Sequence, residues 1–198
     1  MDKTMDSKTS RQKRTKLLLA SSLKELCRTK PLSKISIQDI VDNCGMTRNT
    51  FYYHFLDKQE LINWIYRYEC LEDLNRFQEL LLAGQWDVVN LSVLENLEKS
   101  RDFYIKALKA DGQNCFNDYM LEMATYIFDI TITTVLGDRT IPAEFKAFLV
   151  TFYASAFTNV TIDWLKRGMP VPKEKIIEWF NLSTRHGLET LLSENLRP

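Results

Sequence analysis

Apolar residues recur at spacings of three and four along almost the whole chain, the pattern of helices that each bury one face. It is sharpest between Lys34 and Leu61. Ser36 with Asp39 three positions on makes a capping-box pattern, and Ile37, Ile40, Val41 and Cys44 then share one helical face. Gly45 closes that helix, because glycine enters the left-handed conformation without a side-chain clash. Thr47 caps the next helix, Met46 stands in the staple position before it, and Phe51 and Phe55 form its inward i, i+4 pair. Asp57 with Glu60 opens a third. Two short helices joined by a glycine turn, with a longer helix following, are the layout of a helix-turn-helix.

The same periodicity organises the rest. From about Ser10 to Thr29, Leu19, Leu23, Leu26 and Cys27 mark the inner face of a helix that Pro31 stops. From Asp57 to about Ala83 the stripe Leu61, Trp64, Ile65, Tyr68, Leu71, Leu74, Leu81 predicts one long helix ended by Gly84, suited to act as a lever between two parts of a molecule. Further helices are predicted over 91–100, 101–110, 115–136, 142–167 and 172–192. Their breaks are Asp111-Gly112, Gly137-Asp138 and Gly168-Met169-Pro170, and Pro142 and Pro172 suit first-turn positions. Ile130-Thr131-Ile132-Thr133 alternates like a strand, yet a lone strand leaves its backbone groups without partners, so helix is expected there too. The fold class is therefore all-α. The last two helices carry broad apolar faces: Phe145, Phe148, Leu149, Phe152, Ala156 and Val160 on one, Ile176, Phe180, Leu188, Leu191 and Leu192 on the other. Such width exceeds the needs of one protomer's core and predicts a homodimer.

Composition is that of an ordinary soluble domain, with 45% hydrophobic and 26% charged residues in a chain of 198. The distribution of charge adds more. Formal net charge is zero, but residues 1–60 hold 12 Lys/Arg against 7 Asp/Glu, a surplus of +5, and residues 61–198 hold 14 against 19, a deficit of −5. The basic end coincides with the helix-turn-helix. Residues 1–9 are polar and expected to be disordered, and the run Lys8, Arg11, Lys13, Arg14 could reach a phosphate backbone or minor groove. The cysteines Cys27, Cys44, Cys70 and Cys115 form no C-x-x-C pair, and with only His54 and His186 beside them a zinc site is not expected. Free thiols fit a reducing cytoplasm. The run LLLASSL is interrupted by Lys24-Glu25 and reads as an amphipathic helix, not a leader, and no stretch reads as a membrane span.

With Phe51 and Phe55 turned inward, Arg48, Asn49, Thr50, Tyr52 and Tyr53 face outward or sideways. Arginine reads guanine through O6 and N7, asparagine reads adenine, and threonine and tyrosine hydroxyls reach phosphate oxygens. Lys58, at the start of the third helix, adds a cation beside free backbone N–H groups. No G-x-S-x-G, phosphate-binding glycine loop or paired-histidine motif occurs, so neither an enzyme nor a cofactor is expected.

The segment from about residue 10 to 61 resembles the DNA-binding domain of the TetR family of bacterial transcription regulators. The resemblance rests on Ser36, Gly45, Thr47, the Tyr52-Tyr53-His54-Phe55 element, Lys58 and Leu61. Asn49 departs from it, standing where the family often has glycine or another small residue. The stretches MTRNTFYYHF, DFYIKAL and DWLKRGM are similar to the DhaS-like subgroup. The resemblance implies DNA contacts from Ser36, Thr47, Arg48, Asn49, Thr50, Tyr52, Tyr53, His54 and Lys58. It implies a basic arm over 1–9, a helix-turn-helix domain over 10–61, and a regulatory and dimerisation domain over 62–198, about nine helices in all. The expected protein is a cytoplasmic homodimer on a palindromic operator in double-stranded DNA, without a membrane partner. Control would come from a small-molecule effector in the C-terminal domain or, in the DhaS-like alternative, a protein co-regulator docked there. Aromatic and soft side chains of the middle helices, among them Phe103, Tyr104, Phe116, Met120 and Phe128, suit either a ligand pocket or a filled core.

Overall fold

The computed structural model describes residues 3–71, 74–109 and 115–195, and every regular element among them is helical. In order these are α1 (Lys3–Thr29), a 3-10 turn (Leu32–Lys34), α2 (Ile37–Asn43), α3 (Arg48–His54), α4 (Lys58–Leu71), α5 (Leu74–Leu82), α6 (Trp86–Lys99), α7 (Arg101–Leu108), α8 (Phe116–Leu136), α9 (Ala143–Lys166) and α10 (Lys173–Asn195). The β-branched run Ile130–Thr133 lies inside α8. There Thr131, Thr133 and Thr134 donate their hydroxyls to the carbonyls four residues back at 2.9, 2.7 and 2.9 Å, so the groups that could compete with the helix are absorbed by it.

Several boundaries differ from the sequence reading. Helix α1 begins at Lys3 rather than Ser10, so residues 3–9, expected as a loose arm, continue the helix. The helix expected over 57–83 is described as α4 and α5, and residues 72 and 73 lie outside the described residues, as does the expected Asp111-Gly112 break. Helix α6 starts at Trp86, ahead of the expected Leu91, because Trp86, Val89 and Asn90 are already buried in its first turns. Contrary to the sequence reading, α9 is long and apolar enough to cross a membrane by length and composition alone, but its Leu149, Ala154, Phe157 and Leu165 are buried in the protein.

The chain forms two compact units: residues 1–68 with 102–116, and residues 69–101 with 117–198. In the first, α1 packs on α2 and α3 around Leu19, Leu23, Ile35, Ile40, Val41, Phe51, Phe55 and Leu61. The segment from α7 to the start of α8 belongs to this unit, although the sequence reading closed the DNA-binding domain at residue 61. Tyr66, Tyr104 and Phe116 make one ring cluster, with centroids 5.3–6.1 Å apart. The Lys106 ammonium donates to the Cys27 carbonyl in the last turn of α1, and Lys24 lies 5.9 Å from the Phe103 ring centre.

In the second unit α6 packs on α5, α9 and α10. Phe128 of α8 meets Tyr153 and Phe157 of α9 and Phe180 of α10, with ring centroids 5.8–6.2 Å apart. The α9–α10 turn is closed by the Trp164 indole N–H, which donates to the Val171 carbonyl at 2.8 Å, and by the Met169 N–H, which reaches back to the Trp164 carbonyl at 2.8 Å.

Candidate nucleic-acid interface

The interface is built on local caps. Ser36 accepts from the Asp39 N–H at 3.1 Å, and the Asp39 carboxylate accepts from the Ser36 N–H at 2.8 Å, a reciprocal capping box that opens α2. Those Ser36 hydrogen bonds, with Lys30 adding a cation 3.3 Å away, hold the Asp39 carboxyl down at about 2. Gly45 closes α2 at φ +66, and the Met46 N–H returns to the Val41 carbonyl at 2.8 Å. Thr47 then caps α3, its hydroxyl oxygen accepting from the Thr50 N–H at 3.2 Å. Buried Phe51 and Phe55 fix the inner face of α3.

What remains outward is a polar and aromatic face. Arg48 and Asn49 are exposed in the first turn. The Arg48 guanidinium donates to the Tyr52 hydroxyl at 3.3 Å and lies 5.9 Å from that ring's centre, so the arginine is held along its own helix by a residue one turn on. Tyr53 is 68% exposed, and its hydroxyl accepts from Gln12 of α1 at 3.3 Å. The Thr47 and Thr50 hydroxyls lie 3.0 Å apart.

Three expected contact residues sit differently. The Ser36 hydroxyl is engaged with Asp39 as a cap. His54 packs edge-on to Tyr53, with centroids 4.9 Å apart; burial first, and the Lys16 charge second, push its pKa below the usual value, which favours a neutral imidazole. Lys58 turns its ammonium inward, donating to the Leu32 and Ile35 carbonyls at 2.7 and 2.6 Å, and burial lowers its pKa.

Two residues outside the expected set also shape this face. Gln12 reaches Tyr53 from α1, and Lys16 lies 5.2 and 5.8 Å from the centres of the Phe55 and Trp64 rings. Gln12 and Tyr53 are 41 positions apart, so no local pattern could have paired them.

Residues 21–65 match the family described as bacterial regulatory proteins of the tetR family, and residues 84–185 match a transcriptional regulator C-terminal region. The chain is similar to the HTH-type dhaKLM operon transcriptional activator DhaS of Lactococcus lactis subsp. lactis (strain IL1403), at 24% identity over 165 residues, 80% of this chain and 83% of that protein. Its fold is similar to the solved structure of a dihydroxyacetone kinase operon activator DhaS, with a TM-score of 0.63, 24% identity, and coverage of 91% of this chain and 96% of that one. It is similar also to a TetR transcriptional regulator from Streptococcus agalactiae 2603V, with a TM-score of 0.54, 20% identity, and coverage of 98% and 99%. With one match spanning just over half of the chain and the other the helix-turn-helix, the chain belongs to the TetR family of bacterial regulatory proteins and is a transcription regulator, not an enzyme.

Proposed function

We propose that the protein is a cytoplasmic, dimeric, sequence-specific DNA-binding regulator whose α3 enters the major groove of a palindromic operator, and whose second unit responds to a small-molecule effector. The observation that carries the DNA reading is α3 itself: Phe51 and Phe55 lock it from below while Arg48, Asn49, Tyr52 and Tyr53 stand exposed above. Arg48 and Asn49 contact bases, and Thr47, Thr50, Tyr52 and Tyr53 supply hydroxyls to the phosphates. The dimer reading rests on α9 and α10. Phe145, Phe148 and Phe152 form a stacked ladder with centroid steps of 6.4 and 5.9 Å. Phe148, Phe152 and Leu182 are 58%, 53% and 56% exposed, apolar surface that a second copy would cover.

Operator binding by an Arg48→Ala protein tests the DNA assignment. The expected loss is about 1–3 kcal/mol together with relaxed preference at one base pair of each half-site, read by titration against single-base operator variants. Unchanged preference at every position would remove Arg48 from base readout.

A second reading gives the second unit a protein co-regulator in place of a small molecule. It is favoured by Leu121 and Tyr126, which leave α8 with exposed apolar surface, and by the likeness to an operon activator. Co-purification of a stoichiometric partner that alters operator affinity would select it.

A further inference from the structure

Among the described residues of the second unit, four buried side-chain atoms of uncharged residues have no hydrogen-bond partner: Asn90 Oδ1 on α6, Thr158 Oγ1 and Thr161 Oγ1 on α9, and Asn181 Oδ1 on α10. Helix register brings them to neighbouring levels. The ion pair of Lys173 with Glu98, at 2.9 Å, sets the first turn of α10 against the last turn of α6, and the two helices pack together. Eight residues back along α6 is Asn90, and eight residues on along α10 is Asn181, so at equal rise both lie about 12 Å from that ion pair. Phe157 and Phe180 meet with ring centroids 5.2 Å apart, which places their sequence neighbours Thr158 and Asn181 at one height. Thr161 follows one turn along α9.

Thr131 and Thr184 return their hydroxyls to the carbonyls four residues back, whereas Thr158 and Thr161 do not. Buried polar atoms are ordinarily paired, so four orphans on three packed helices point to an absent partner. None of the four groups is charged, and a charged ligand would meet no counter-ion among them. Two are amide oxygens that demand donors, and two are hydroxyls that give or accept. A short chain of hydroxyls satisfies both, while Phe157 and Phe180 offer apolar contact to its carbon skeleton. We propose that Asn90, Thr158, Thr161 and Asn181 form a site for a small neutral polyhydroxy compound, an inference that rests on the effector reading above. Each orphan exposes less than 1 Å² of surface, so the layer is closed to water in this conformation. The ligand therefore selects an arrangement in which α6 parts from α9 and α10, and that difference between states supplies the coupling.

The test is thermal unfolding of the full-length wild type and of Asn90→Leu, in polyol-free buffer, with glycerol, erythritol and ribitol, and with glycerate and 2-aminopropane-1,3-diol as charged counterparts. Saturable stabilisation of the wild type by a neutral polyol is expected, roughly 5 to 10 °C at a hundredfold excess over its dissociation constant. Asn90→Leu should melt no lower than wild type without ligand and lose the shift. Thr158→Val gives the same reading should Asn90→Leu fail to fold. An equal shift in wild type and variant overturns the site while leaving the effector reading intact. A wild type indifferent to all three neutral polyols, or stabilised only by the charged compounds, overturns the ligand class.

Discussion

Lys58 shows how a residue's neighbours in space can redirect what its neighbours in sequence suggest. By position it opens a helix and invites a phosphate, but its ammonium is held by two carbonyls, 26 and 23 positions back, at the 3-10 turn between α1 and α2. The Leu32 carbonyl also accepts from the Ile35 N–H at 3.2 Å, and Lys58 adds a donor to it and to the Ile35 carbonyl that ends the turn. The pairing was not legible because nothing in the intervening sequence encodes the distance. Gln12 and Lys16 were missed for the same reason, whereas Arg48 and Asn49 were legible because a capped helix with two inward phenylalanines leaves them only one way to face. Lys58→Met keeps the aliphatic stem but removes the donor from both carbonyls, leaving Leu32 only its bond from the Ile35 N–H. The expected loss is about 1–2 kcal/mol in urea unfolding, with no change in the salt dependence of operator binding. A log–log salt slope reduced by about one would return Lys58 to the phosphate backbone.

At the scale of elements, the α2–turn–α3 unit could be read in detail because each of its boundaries is set by a side chain within three residues: Ser36 with Asp39, Gly45, and Thr47 with Thr50. The start of α1 has no comparable stop signal, and the onset of α6 depends on the burial of Trp86, so both were misplaced. Gly45 gives the sharpest test of this local logic. At φ +66 with no atom within 4 Å of a built Cβ, alanine there meets no clash and costs only the left-handed backbone, about 1–2 kcal/mol. Gly45→Ala should lower the urea midpoint without changing the m-value. An unchanged midpoint would mean that the turn does not need glycine.

For the whole molecule, the broad apolar character of α9 and α10 was legible, but not its division between inside and outside. Leu149 and Phe148 were assigned to one face, yet Leu149 is buried while Phe148 and Phe152 look outward, because a 3.6-residue period lets adjacent positions straddle the edge of a packed stripe. The side chains of Leu188, Leu191 and Leu192 lie outside the described residues. Phe152→Glu places a charge in the proposed subunit contact and should convert the dimer to a folded monomer in sedimentation velocity, with operator affinity falling in step. A dimer of undiminished stability would move the contact off α9. The membership of residues 102–116 in the first unit has a further consequence, which concerns the order of synthesis. The reading unit is discontinuous in sequence, so when Tyr68 leaves the ribosome its last segment has not been made, and at about 5–20 residues per second the nascent chain waits roughly 2 to 10 s for Phe116. Through that interval the tyrosine at position 66 and the last turn of α1 lack their partners Tyr104, Phe116 and Lys106, leaving an apolar surface for chaperones to shield. A gene fragment cut after the helix-turn-helix would make that exposed intermediate permanent.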